Sequence, residues 1–394
     1  MSSLHGILYR NRPATVSVTR ILAWWKGLDP APAGKPRIAW VDAARGIAIL
    51  AVFFGHYLQD ASTRGTAALE DDLRFLYSFH VPFFFLLSGC LAHREATLLA
   101  QARVLATRRL LPVLFFGLCF ACLRIAAQLR HGDIGARWLE GELADYLIGR
   151  PLLDWATWFL VCLFVCEMLA YALIPHLRKP AMQIAVGVIA ILVGASFGNH
   201  SNRPAEGIAY YVGEFWFFSE AIVALGFYLI GHALWPWLRS HMGSLRTAAV
   251  IAAGGFAVVL ATFRLNMPGG KPLVVMMAAR THGIIIWFLV TALAGSLALM
   301  ATGALASRWE LLGRIGRNTI PLLGLNGLFF GFLNLYVVRH LHTPDTHAGV
   351  VVMGIAMTTG ALVICLPLVA AMRWLVPQLI GSPRQAGPLL PALE

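Results

Sequence analysis

The sequence predicts an all-α protein, a polytopic transmembrane helical bundle of about ten spans. Of its 394 residues, 58% are hydrophobic and only 13% are charged, and the mean hydropathy is +0.70. That balance excludes an ordinary soluble domain. Apolar stretches of about 18 residues or more recur along the chain, each long enough to cross ~30 Å of hydrocarbon. The basic residues collect in alternate connecting segments, as the positive-inside rule expects of a multi-pass protein.

In chain order the spans cover 38–58, 75–92, 110–128, 155–175, 181–198, 215–237, 247–263, 281–304, 318–338 and 349–376, and 265–280 reads as a short re-entrant piece. Together they make one domain, 38–376, between a basic N-terminal tail, 1–37, and a C-terminal tail, 377–394. The N-terminal tail carries Arg10, Arg12, Arg20, Lys26, Lys35 and Arg37 but no continuous apolar core, so it is not a cleavable signal peptide. Within it, Val18–Leu28 with Trp24 and Trp25 has two readings. It is either a helix lying flat among lipid headgroups or part of a disordered tail punctuated by Pro30, Pro32 and Pro36. The segment from Gly381 onward, with Pro383, Pro388 and Pro391, reads as a disordered end.

A net charge of +12 invites a nucleic-acid partner. Its distribution argues against one. With a cytoplasmic N-terminus, more than half of the 31 Lys and Arg residues fall on the inside, so the charge orients the protein and places both termini in the cytoplasm. Cys90, Cys119, Cys122, Cys162, Cys166 and Cys365 all lie in or at apolar spans. No pair occupies an external loop, so no disulfide framework is expected, and no histidine joins them to complete a zinc site.

The first span opens with Asp42-Ala-Ala-Arg45-Gly46 and reaches His56 eleven residues beyond Arg45. Eleven residues is about three turns, so both side chains share nearly one face, roughly 16 Å apart along the axis. Ionisable groups in hydrocarbon are costly and mark functional sites. Asp42, three residues before Arg45, can offset the guanidinium. Arg45 reads either as a functional cation or as a side chain snorkelling to the headgroups. His56 reads as a general base, the commonest role of imidazole near neutral pH.

Several weaker features accompany this pair. Ser88-Gly89 on the second span reads equally as close helix packing. Trp158 falls where an interfacial aromatic belt would place it. Asn318 suits a helix N-cap after Arg314 and Arg317. Arg94, Arg103, Arg108 and Arg109 precede Leu110-Leu111-Pro112. They read as orientation charges or as guanidinium forks for phosphate. Glu70, Asp71, Asp72, Glu214 and Glu220 gather toward the outer side, and Glu220 stands out because it sits inside an apolar span. His340, His342, Asp345 and His347 lie on a Pro-containing loop for which no metal is expected.

The chain resembles the acyltransferase 3 family of integral-membrane O-acyltransferases. The resemblance rests on Asp42-x-x-Arg45-Gly46 with His56 and on Phe83-Phe84-Phe85-Leu86-Leu87-Ser88-Gly89. Trp158-Phe159-Leu160, Gly226-Phe227-Tyr228-Leu229-Ile230-Gly231 and Gly316-Arg317-Asn318-Thr319 follow in order. It covers about residues 37–376 and leans toward the fucose 4-O-acetylase-like branch. It implies a bacterial inner-membrane enzyme without a metal. The donor would be acetyl-CoA or another acyl-CoA, and the acceptor a glycan or lipid-linked sugar at the cell surface or in the periplasm. Arg103, Arg108 and Arg109 would bind the donor. His56, with Arg45 and Asp42, would serve as base or as covalent acyl carrier. Two departures stand out: Ala106 takes the place of the first arginine of a family Arg-x-x-Arg pair, and Asn326 stands where the family often has histidine. The competing readings are a transporter or flippase of lipid-linked glycans and a catalytically inactive partner subunit.

Overall fold

The structure is a computed structural model that describes residues 37–62, 69–131, 136–151, 154–198, 215–266, 274–328 and 346–393. The basic tail before residue 37, Glu214, His340, His342 and Asp345 lie outside the described residues. The described part is helical, with no β pairing apart from one isolated bridge between Met276 and Thr281. Eight helical runs are long and apolar enough to cross a membrane, and Pro180–Ser196 is a shorter apolar helix. The chain is a multi-pass membrane protein.

The helices are α1 (Ala39–Ser62), α2 (Glu70–Tyr77), α3 (His80–Cys90), α4 (Leu98–Leu105), α5 (Leu111–His131), α6 (Ala136–Leu147) and α7 (Trp158–Leu173). They continue as α8 (Pro180–Ser196), α9 (Phe218–His241), α10 (Leu245–Thr262), α11 (Ile285–Leu305), α12 (Glu310–Arg317), α13 (Thr319–Leu328) and α14 (His347–Leu375). Local chemistry starts several of them. Thr97, Ser244 and Thr346 each accept a backbone N–H three residues on, and Pro180 occupies the first turn of α8, where its missing N–H costs nothing.

Three spans depart from the expectation. The second is broken at Ser78–Phe79 into α2 and α3. The third starts at Leu98 rather than 110, because α4 joins α5 through a π turn, Ala106–Leu110. The charges of Arg103, Arg108 and Arg109 hide that continuity from a hydropathy window. Helix α6 lies between the third and fourth expected spans. The eighth span begins at Ile285, since the residues up to Gly283 turn back on themselves. Of the ninth span, only α13 lies among the described residues.

Small residues set the close helix approaches. A Cβ on Gly316 of α12 would overlap the Asp42 carbonyl, and one on Gly46 of α1 would overlap that of Leu312. Gly89 of α3 and Gly231 of α9 are matched in the same way against the backbone of Tyr228 and Leu86. The largest core cluster runs through α1, α3, α7, α9 and α11, including Phe83, Phe85, Phe227 and Phe288. All six cysteines are free thiols.

The end expected to be disordered is packed. After the turn Pro377–Ile380, Gly381 takes φ +90° and the chain folds back. The Gln378 side chain donates to the Leu390 and Pro391 carbonyls, and the Leu393 amide donates to Pro383 at 2.8 Å. Prolines forbid a helix here without forbidding packing.

Candidate active site

Helix α1 carries Arg45 and His56, and the elements around it give each a different environment. His56 Nδ1 donates to the Asn326 Oδ1 on α13. A ring with its proton on Nδ1 has its lone pair on Nε2, the form a general base needs. His56 lines a cavity of about 120 Å³ with Gln59, Tyr77, His80, Trp155 and Trp158. Its apolar wall includes Ile49, Val52, Phe84 and Leu323, and no Lys or Arg lines it among the described residues. His80, whose Nδ1 faces the Leu76 carbonyl at 2.8 Å, is a second histidine of the cavity.

Arg45 lines two other cavities. One, of about 220 Å³, is bounded by Ser88, Arg109, Arg317 and Arg373. The other, of about 900 Å³, is bounded by Arg37, Asp42, His232, Trp235, Arg239, Arg317 and Arg373. The three cavities share walls in series. Arg45, Arg317, Arg373 and Ser382 belong to both arginine-lined cavities. Phe84, Phe159, Leu160, Thr319 and Ile320 belong to both the 220 Å³ cavity and the His56 cavity.

The arginines differ in how they are neutralised. Arg109, carried on the π turn, makes a bidentate pair with Glu167 of α7, Nε to Oε2 and Nη2 to Oε1, both at 2.8 Å. A π turn holds an extra residue and re-aims the side chains around it. Arg373 donates to the Asn318 side chain and to the Arg317 carbonyl, and Asn318 Nδ2 donates to the Arg314 carbonyl. Asn318 therefore ties α12 to α14 with its side chain instead of capping α13. Asp42 lies 3.8 Å from Arg317. Arg45 makes no hydrogen bond or ion pair with the described residues, and its charged neighbours are Asp42 and Arg109.

Of the residues singled out from sequence, Arg45, Asp42, Arg109, Ser88 and Asn318 meet around the arginine-lined cavities, and His56 and Trp158 meet at the other end. Arg103 is exposed, and neither it nor Arg108 lines any of the three cavities. Glu220 lies apart, fully buried, with its Oε2 3.1 Å from His282 Nε2. His347 is 2.6 Å from Asp72, and Arg264 is 2.6 Å from Asp71.

Sequence reading missed Glu167, His80 and Asp154. Glu167 and His80 had a signal, an ionisable group in an apolar run. Asp154, just before the span that starts at Trp155, is 1% exposed, and neither carboxylate oxygen makes a well-formed hydrogen bond among the described residues. Burial pushes its carboxyl well above the usual carboxylate range.

With this geometry in place, the site is a membrane-embedded one in which a histidine and a cluster of arginines line adjoining cavities. The family model described as "Acyltransferase domain", acyltransferase 3, matches residues 38–370. The chain belongs to that family and is a membrane acyltransferase. No curated protein and no solved structure matches it.

Proposed function

We propose that the protein is an O-acyltransferase of the bacterial inner membrane that moves an acetyl group from acetyl-CoA to a hydroxyl of a cell-surface or periplasmic glycan. On this reading it stands nearest the fucose 4-O-acetylase-like branch. The observation that carries the reading is the series of three adjoining cavities with Arg45 at one end and His56 at the other. The basic cavity, with Arg37, Arg45, Arg239, Arg317 and Arg373, suits the phosphates of a CoA. By the positive-inside rule it faces the cytoplasm, with both termini. The pantetheine arm then runs past Arg45 and Ser88 toward His56. On this reading Arg109, which lines the middle cavity, takes part in holding the donor, and Arg103 and Arg108, which line none of the three cavities, do not.

At the far end, His56 Nε2 takes the proton of the acceptor hydroxyl as its oxygen attacks the thioester carbonyl. The tetrahedral intermediate collapses, the C–S bond breaks, and the imidazolium returns the proton to the leaving thiolate. The products are an O-acyl ester and free CoA thiol. A positioned base of this kind contributes about 10²–10⁴-fold. The small cavity, lined by no Lys or Arg among the described residues, favours acetyl over succinyl, whose carboxylate would be buried away from the arginines.

The test is acetyl-CoA binding and turnover in detergent by wild type and His56→Ala. Binding by both, with turnover lost in the variant, is expected. A variant that turns over like wild type removes His56 as the base. Failure of both proteins to bind acetyl-CoA and succinyl-CoA points to a flippase or an inactive partner subunit.

A further inference from the structure

One buried hydrogen-bonded pair lies outside the acyl-transfer path. Glu220, in the first turn of α9, and His282, in the segment before α11, meet at 3.1 Å, and neither side chain is exposed. Two polar side chains are costly to desolvate, and a buried pair of them needs a reason. The segment ending at His282 supplies one. Val275, Met276, Met277 and Ala278 line the His56 cavity.

Resting on the acyl-transfer reading above, we infer that Val275–His282 forms the acceptor-side wall of the His56 cavity, held in register by Glu220 and His282 as positioning residues. The segment is a tight, internally bonded turn. Met276 and Thr281 exchange backbone hydrogen bonds at 2.8 and 3.0 Å, and the Ala279 and Arg280 amides donate to Met276 and Met277 at 2.9 Å. Arg280 has φ +56°, an uncommon conformation for a residue with a side chain. Nothing in four turn bonds fixes where the turn sits relative to His56. Three contacts at its base do. The Ile284 amide donates to the Asn266 carbonyl at 2.8 Å. His282 reaches Glu220. Gly198, at the end of α8, lies so close that a Cβ there would stand 2.6 Å from the Arg280 carbonyl oxygen.

The wall so placed is apolar, with two thioethers and a methyl facing the aromatic side formed by Tyr77, Trp155 and Trp158. A slot with apolar and aromatic walls and a few polar groups (Gln59, His56, His80) suits the CH face of a sugar ring whose hydroxyl points at His56. The pair does not touch the reacting atoms. Its effect is on acceptor fit and leaves the donor untouched.

The experiment combines two readouts on wild type, Glu220→Ala, Glu220→Gln and Met276→Trp. The first is amide hydrogen exchange of the peptide spanning 275–284. The second is acyl-transfer kinetics with acetyl-CoA as donor and methyl fucoside as acceptor probe. In Glu220→Ala, exchange at Met276, Ala279, Arg280 and Thr281 should rise about 100-fold. Its acceptor KM should rise at least about tenfold, with donor KM within about twofold of wild type. Glu220→Gln still accepts a hydrogen bond from His282 and should recover most of both effects. Met276→Trp leaves the pair intact and narrows the slot, so its acceptor KM should rise while exchange stays unchanged. This variant keeps the test decisive where Glu220→Ala fails to fold. Unchanged exchange in a folded Glu220→Ala overturns the pin. An unchanged acceptor KM in Met276→Trp overturns the wall. Wild type that neither binds nor turns over acetyl-CoA or succinyl-CoA refutes the acyl-transfer reading instead, and the exchange data then still decide the pin.

Discussion

Replacing Asn326 isolates what the His56 hydrogen bond contributes. In the wild type, Asn326 Oδ1 accepts from His56 Nδ1, which holds the tautomer whose Nε2 can remove a proton. Asn326→Ala leaves that N–H without its acceptor in a largely dry site. An unsatisfied buried donor costs about 1–3 kcal/mol. At about 1.4 kcal/mol per factor of ten, the competent tautomer falls by about 5- to 150-fold. The expected result is a kcat reduced within that range, with donor KM unchanged because Asn326 lines neither arginine-rich cavity. Asn326→Asp still offers an acceptor oxygen and should stay within about tenfold of wild type. The assay is steady-state release of CoA thiol in detergent, with His56→Ala as the floor. Full activity in Asn326→Ala, beside an inactive His56→Ala, would refute the argument that this bond orients the base.

Three further outcomes follow from the geometry. Glu167→Leu strands the Arg109 guanidinium and should cost about 3–5 kcal/mol, whereas the double variant Arg109→Met/Glu167→Leu should regain most of that stability in thermal unfolding; equal losses in both would remove the pair's coupling. Gly316→Val drives a side chain into the Asp42 carbonyl and should collapse the yield of folded protein, while Gly141→Ala, with nothing within 4 Å of the new Cβ, should be neutral or stabilising by up to about 1 kcal/mol. Asp154 has a raised carboxyl pKa through burial, so wild type loses stability as pH rises from the ordinary aspartate value, about 3.9, through the raised one. Asp154→Asn avoids ionisation and should melt several degrees higher at neutral pH, an advantage that disappears near pH 4 and that parallel melting curves would check.

Much of this molecule is legible without coordinates. Hydropathy alone defines the class, because a bilayer forces every spanning segment to be long, apolar and hydrogen-bonded within itself. The spacing of Arg45 and His56 is local helix geometry and needs no partner to be read. Charge at the Leu98–Leu111 stretch concealed a continuous helix, since a window average cannot distinguish a solvated arginine from one neutralised by Glu167. The C-terminal prolines read as disorder because composition reports helix incompatibility, while packing against Gln378 depends on residues elsewhere.

What the tertiary structure alone decided is who meets whom. Asn326 reads as a mere departure from a family pattern until α13 places it against His56, 270 residues away in the chain. Arg239, Arg317 and Arg373 stand far apart in the chain until α9, α12 and α14 converge them with Arg45 on one cavity. Glu220 is a lone acid in an apolar span until the segment before α11 brings His282 to it. Periodicity along one helix fixes which face a side chain shares, but the partner across the interface is set by long-range packing of small residues such as Gly46, Gly89 and Gly316. Those close approaches belong to pairs of helices, and no single stretch of sequence encodes them.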